Sequence, residues 1–559
     1  MSKLSTFLTL LFSCFISACV GSNVQVPQYD LVIRDGIVID GTGVAAAKAD
    51  VAIKDGKFVK LGDVIGQGTR EINASGRYVT PGWIDMMDQS GGVLLKNGLA
   101  ENKLLMGVTS AIGGEGGTVV PAGEIRDYFK TLEQQGISLN FGTYYNAFQA
   151  RAAVLGMNDI KATDEDIVKM QALMAQAMEE GVVGMSSAAF YPPASFITTH
   201  ELIELGKAIA PYNGIYAAHM RDESRKLLEA IQEMITVGEE AGIDVEIFHL
   251  KNAYAPNWGT GAHKAIALIN AARERGVNIG ADQYPYVAGG TGIDATVPTW
   301  VLAEGVEAAI KKLNDVEQRA RMKKDIVNPL STRMLASSGS WENIVLVNAH
   351  NEKYSAYHGK NFIEIGKALG REPVDAAWDI MLEANPNRAM ALYFMMTEDD
   401  VKTFMQQPWV SIGSDAGASE VLGEMDSLGL PHPRSYGTFP RIIAKYVRDD
   451  GVLTLEDAVR KMTSLPAQRM KLKNRGVISI GSWADVVIFD YDTIQDGSTW
   501  DEPMKTPTGI NYVLVNGEIV VENGIHTGKK PGKVLYGPGY RPCWHPDPAL
   551  EMLHSHIEC

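Results

Sequence analysis

The chain has almost no cysteine. Of 559 residues only Cys14, Cys19, Cys543 and Cys559 carry a thiol, two near each end. In an oxidising compartment Cys543 and Cys559 can clip the tail as a disulfide; otherwise they remain two free thiols. Positive charge is also in deficit, with 51 Lys and Arg against 67 Asp and Glu and a net charge of −16. Nothing therefore offsets phosphate repulsion, which argues against nucleic acid as a partner. The charge says nothing positive about substrate. No repeat of short fixed period is visible, and His-x-His occurs once, at His554-Ser555-His556 in the tail. No strand or helix fixes that pair, so it is set aside as a metal motif.

What is present describes an ordinary globular protein, 45% apolar and 21% charged. Its length suits a barrel plus a smaller unit. Residues 1–19 form a targeting segment, with Lys3 at its start and a mostly apolar run over 7–15 that is too short to span a membrane. It ends in Ile16-Ser17-Ala18-Cys19, which resembles the lipobox of bacterial lipoproteins. The resemblance implies cleavage before Cys19 and acylation of that cysteine, hence a firm bilayer anchor. Val20 follows, not aspartate, which favours an outer-membrane anchor facing the periplasm. A plain secretory signal would also place the protein outside the cytoplasm.

The most informative stretch is 214–252. Two short apolar runs, 215–218 and 245–248, each lead into a histidine, His219 and His249. Between them Leu227, Leu228, Ile231, Ile235 and Val237 recur at helical spacing. This is a βαβ unit, so the two strands are expected as parallel neighbours with both histidines at their carboxyl ends. In a (β/α)8 barrel that rim carries the active site, and two converging imidazoles suggest a metal. Taken singly, a strand-end histidine is more often a hydrogen-bonded loop or core residue.

Around this unit the texture alternates strand and helix from Pro81 onward. Candidate barrel strands are 83–88, 107–113, 139–145, 182–187, 215–219, 245–249, 277–284 and 409–414. Thr163-x-x-Asp166, Thr198-x-x-Glu201 and Thr454-x-x-Asp457 mark helix starts. The gap between Tyr284 and Trp409 exceeds one crossover, so an inserted, partly helical subdomain is expected over the rim at about 287–348. Residues 29–40 and 49–60 read as hairpins around Asp-Gly turns, and strand-like alternation returns at 484–490 and 512–524. The expected α/β architecture is thus a (β/α)8 TIM-like barrel over 81–470 with a small β-sandwich built from both ends, 20–80 and 471–537, and a tail at 538–559.

Pro81-Gly82-Trp83-Ile84-Asp85 resembles the entry into the first strand of amidohydrolase-superfamily barrels. His219-Met220-Arg221, His249-Leu250-Lys251, Asp282-x-Tyr284-Pro285-Tyr286, Gly413-Ser414-Asp415-Ala416 and His432-Pro433-Arg434-x-Tyr436-Gly437-Thr438-Phe439 are similar to N-acyl-D-amino-acid deacylases, the D-aminoacylase family. Each motif alone is weak; their order and spacing together are specific, from about Tyr29 to about Gly537. The chain departs from the family at two places. The first strand normally runs into His-x-His, where this chain has Met87 and Gln89, poor zinc ligands both. The Gly-rich turn after the second strand, often holding cysteine, is Gly113-Gly-Glu-Gly-Gly117.

The resemblance implies a zinc-dependent hydrolase that cleaves the amide of an N-acyl-D-amino acid, giving a carboxylic acid and a free D-amino acid. One zinc is expected, held by Glu115, His219 and His249, since a carboxylate is a legitimate zinc ligand; other divalent metals would also suit the set. Glu115 could instead be a solvated loop charge on a tight turn. Asp415 takes the family's role of proton acceptor and donor, against a reading as a helix N-cap. Lys251, Tyr284 and Arg434 match positions that bind the α-carboxylate of the D-residue. Tyr191 and His350 are candidates to border the pocket without an assigned role, and His432 is a supporting or structural residue. No run of Arg or Lys over 287–300 marks an acidic side-chain pocket, which favours a neutral or apolar D-residue. The alternatives are a related amidohydrolase acting on a dipeptide, cyclic amide or lactone, and a catalytically inactive binding lipoprotein.

Overall fold

The computed structural model describes residues 28–302, 306–326, 333–424 and 430–542. The targeting segment with Cys19, the tail cysteines Cys543 and Cys559, and His554 and His556 lie outside the described residues.

Eight strands follow one another with helices between them: β1 Trp83–Asp88, β2 Val108–Gly113, β3 Asn140–Thr143, β4 Gly184–Ala188, β5 Ile215–His219, β6 Asp244–Ile247, β7 Ile279–Gln283 and β8 Val410–Ile412. Every neighbouring pair that forms a ladder is parallel. β3 continues through Tyr145–Asn146, which pairs with β4. The ring is drawn together between β8 and β1 by the parallel bridge Asp88↔Ala416 and by Asp415 N–H donating to the Met87 carbonyl at 2.9 Å. Parallel strands buried on both faces carry the Val, Ile and Ala that fill the principal core. The helices begin where polar caps permit: Thr163 and Asp166 close a capping box on Asp164–Glu180, as do Thr198 and Glu201 on Thr199–Ile209.

Strands from both ends of the chain form one nine-stranded sheet. Its seam is the antiparallel pairing of Tyr78–Pro81 with Val486–Phe489. Ile33, Val51 and Phe58 share a core there with Val486, Ile488 and Leu514. One of the expected hairpins is absent. Asp55-Gly56 does turn the chain between Ala47–Lys54 and Lys57–Gly62, both residues at positive φ. Asp35-Gly36 instead sits inside one continuous strand, Tyr29–Val38, as a register shift against Ala47–Lys54. The Asp35 N–H is held by Asp50 Oδ1 at 2.9 Å, so the same dipeptide makes a bulge rather than a reversal.

Between β7 and β8 a separate unit covers the rim. Its three strands, Ala288–Gly292, Ile344–Asn348 and Met390–Phe394, are antiparallel, with the last in sequence at the centre. The unit therefore extends beyond residue 348 to Phe394. The helices Phe362–Leu369 and Pro373–Ala384, past the expected insertion at about 287–348, belong to its own core around Trp378.

Candidate metal centre

β5 and β6 deliver the two histidines to the same end of the parallel strands. Their rings stand 4.5 Å apart, centroid to centroid, and nearly perpendicular at 80°. Glu115, in the turn after β2, places Oε1 at 2.8 Å from His219 Nδ1 and 3.2 Å from His249 Nε2. One ligand atom from each of the three residues lies within 4.8 Å of the others. Burial alone would raise the Glu115 pKa, but the contacts with His219 and His249 outweigh it and hold the carboxyl well below its ordinary value. A partly buried carboxylate aimed between two buried imidazoles is a donor set that fits a divalent cation such as zinc.

The backbone is bent to make this arrangement. His249 lies beyond the end of β6 at φ 38°, a left-handed conformation costly for a histidine. Its N–H is tied to Asp282 Oδ1 at 2.9 Å, from the end of β7. Burial pushes the Asp282 carboxyl well above its usual range. Asp415 sits at φ 50° after β8, secured through its N–H to Met87. Two of the residues with expected chemical roles are thus held in sparsely populated conformations by neighbouring strands.

Behind the histidines stands Glu223, which sequence reasoning passed over. Its Oε1 is 3.0 Å from His249 Nδ1, and its Oε2 is 3.6 Å from His219 Nε2, so the two rings are gripped between Glu115 in front and Glu223 behind. The Lys251 ammonium reaches Glu223 Oε1 at 2.5 Å and His249 Nδ1 at 2.7 Å. Burial opposes ionisation of Glu223, yet Lys251 and the two histidines hold its pKa below the ordinary value. As one of several charges between Arg221 and Lys226, Glu223 gave no spacing signal beyond a loop charge.

The expected carboxylate-binding residues converge on one ring. The Arg434 guanidinium lies 4.6 Å from the Tyr284 ring centroid and the Lys251 ammonium 5.7 Å from it. Arg434 Nη1 is 2.8 Å from Asp415 Oδ2, an ion pair by distance but without hydrogen-bond alignment, and its Nε is buried without a partner. The guanidinium therefore retains donors for an incoming carboxylate. Lys251, by contrast, is already engaged by Glu223. His432 is structural: Nε2 faces the Ala288 carbonyl at 2.9 Å, Nδ1 accepts from the Arg434 N–H, and burial keeps its pKa well below the usual value.

At the mouth of β1, Gln89 Nε2 donates to Glu115 Oε2 at 2.7 Å and lies 3.5 Å from Asp415 Oδ1. Beneath it is a fully buried cation, Lys103. Its ammonium contacts Asp85 Oδ2 at 2.9 Å, Asp88 Oδ2 at 2.7 Å, Ser414 Oγ at 2.8 Å and the Ala416 carbonyl. Lys103 stays charged because the two aspartates outweigh the cost of its burial. This network ties the end of β1 to both residues flanking Asp415.

These groups open into a cavity of ≈ 460 Å³ lined by Glu115, His219, His249, Lys251, Tyr284, Asp415 and Arg434 among others. Tyr191 is in its wall; His350 is not, and instead contacts Asn348 at 3.0 Å.

A parallel α/β ring with a Glu-His-His cluster and an aspartate at its carboxyl rim defines the metal-dependent amidohydrolase class. Comparison with known proteins narrows it. The amidohydrolase family model matches residues 366–521. D-aminoacylase of Alcaligenes xylosoxydans xylosoxydans is 31% identical over 91% of this chain and 97% of its own length. Two solved structures superpose with a TM-score of 0.76 over 91% of this chain and 100% of theirs. One, 27% identical, is the N-acyl-D-glutamate deacylase of Bordetella bronchiseptica, complexed with zinc and a phosphonate mimic of the tetrahedral intermediate. The other, 30% identical, is a D-aminoacylase described as activated by one metal and attenuated by a second. The chain belongs to the D-aminoacylase family of amidohydrolases.

Proposed function

We propose that the protein is a zinc-dependent N-acyl-D-amino-acid deacylase, hydrolysing a linear amide to a carboxylic acid and a free D-amino acid. The observation that carries this reading is the placement of Asp415 and Arg434, in contact with each other, in the same cavity as Glu115, His219 and His249. Glu115, His219 and His249 would hold one zinc ion, which when bound supplies a polarised amide carbonyl and a water of lowered pKa. Asp415 accepts the proton of the attacking water at its carboxylate and returns it to the leaving amine. Arg434 and Tyr284 orient the substrate α-carboxylate, the guanidinium through its unspent donors. Lys251 acts with them at the edge of the same ring, and Glu223 fixes the orientation of both histidines.

The architecture behind this site is read as a (β/α)8 barrel at 81–470 with a two-ended β-sandwich and a rim insertion. Met87 and Gln89 support a single-metal centre, because thioether and carboxamide compete poorly for zinc. We also propose export and lipid anchoring at Cys19, on the strength of the lipobox alone; among the described residues no helix is long and apolar enough to cross a membrane.

The test is hydrolysis of paired N-acetyl-D- and N-acetyl-L-amino acids by zinc-reconstituted protein. D-selective release of amine is expected. Release from the L-series, or from neither series in protein shown to hold zinc, contradicts the proposal.

A further inference from the structure

A second cavity of ≈ 530 Å³ lies behind the Phe190–Tyr191 wall, between that wall and the helices of the rim unit. It shares Phe190, Tyr191 and Arg388 with the cavity of the metal centre. Its lining is dominated by apolar side chains, including Val297, Leu302, Ile310, Leu313 and Met381. Its two charged residues neutralise each other: Arg388 Nε and Nη2 reach the Asp294 oxygens at 2.8 and 3.1 Å. The shared edge is polar, where the Tyr191 hydroxyl meets Thr291 Oγ1 at 3.1 Å and the Arg388 guanidinium lies 5.6 Å from the Tyr191 ring.

The direction of this cavity identifies its occupant. Lys251, Tyr284 and Arg434, the carboxylate-binding side, stand next to His249 and Asp415. Phe190 and Tyr191 stand on the other histidine, each 5.2 Å from the His219 ring. A substrate whose carbonyl lies between the histidines, with its carboxylate toward Arg434, sends its acyl chain toward Phe190 and Tyr191. We propose that this chain crosses the Tyr191–Arg388 edge and fills the second cavity, so that the substrate class is N-acyl-D-amino acids with medium-to-long unbranched acyl chains. This rests on the deacylase reading. The volume is that of a ligand-sized pocket, and walls that are mostly apolar, with their one charged pair neutralised, reward buried methylenes.

The test uses the zinc-loaded full chain with N-acetyl-, N-hexanoyl- and N-decanoyl-D-leucine below their aggregation concentrations, measuring kcat/KM. Each methylene buried is worth roughly fourfold, so a rise of at least ~100-fold from acetyl to decanoyl is expected. A second series holds the acyl group at acetyl and lengthens the D side chain, with less than about a tenfold rise expected. A flat acyl series, or a gain that follows the side chain instead, overturns the acyl assignment while leaving the deacylase reading intact. Release from no member, acetyl included, overturns the deacylase reading and this inference with it. Ala309→Phe, which fills the second cavity, is expected to lower the decanoyl-to-acetyl ratio at least tenfold, and an unchanged ratio contradicts the proposal. Ala295→Trp serves the same purpose should that variant fail to fold.

Discussion

Gln89 Nε2 donates to Glu115 Oε2 at 2.7 Å, so the outer oxygen of the candidate metal carboxylate is occupied by an amide. An amide donor at this spot competes with any second cation for the same oxygen, and buried Met87 beside it offers only a thioether. Zinc-reconstituted protein is therefore expected to hold one zinc per chain by elemental analysis. Met87→His combined with Gln89→His should raise the content to two, and a value of one in that variant would place the restriction elsewhere.

Glu223 faces the far nitrogens of both histidines. Removing its charge with Glu223→Gln leaves volume and fold in place but loosens the imidazoles. Zinc affinity is expected to fall roughly 10–100-fold, read by competition with a chromogenic chelator. Unaltered affinity would mean that Glu223 serves only Lys251.

Zinc binding should release a proton. Burial and the adjacent Lys251 pull His249 down, but Glu223, Asp415 and the hydrogen bond to Glu115 together lift it to about 10. The metal-free ring is therefore biased towards the imidazolium, whose extra proton must leave before the nitrogen can bind zinc. Apparent affinity is expected to rise by about tenfold per pH unit below that value for one proton displaced. Calorimetry in buffers of different ionisation enthalpy counts the proton, and a count of zero would contradict the charge state inferred for His249.

Lys103 is the only counter-ion that Asp85 and Asp88 share in their fully buried setting among the described residues. Lys103→Met leaves two buried carboxyls without it and should cost about 3–5 kcal/mol in denaturant unfolding. The loss should extend to turnover, because the same ammonium holds Ser414 and Ala416 on either side of Asp415.

The order of the parallel strands was legible because strands buried on both faces are short, mostly apolar runs, and the runs ending in His219 and His249 have no competing period. Glu115 was legible only as a carboxylate in a glycine turn, and distance along the chain hid how near it comes to both rings. Asp35-Gly36 misled because a dipeptide does not reveal whether its partner strand reverses or bulges; Asp50, a strand away, decides it. Lys103 and Glu223 were invisible for a related reason. Lys103, in a five-residue helix, and Glu223, amid the charges of 221–226, are ordinary charges along the chain, and the significance of each is a burial that only the packed structure creates. The rim unit was underestimated because its central strand, Met390–Phe394, comes last in sequence.

In the proposed function Glu115, His219 and His249 hold the metal on which D-selective hydrolysis depends. Zinc content and amine release from an N-acyl-D-amino acid, measured on the same preparations of wild type and His219→Ala, test it directly. The wild type is expected to bind zinc and hydrolyse the D-substrate, and the folded variant to do neither. A variant that keeps both metal and activity would show that the reaction centre lies elsewhere.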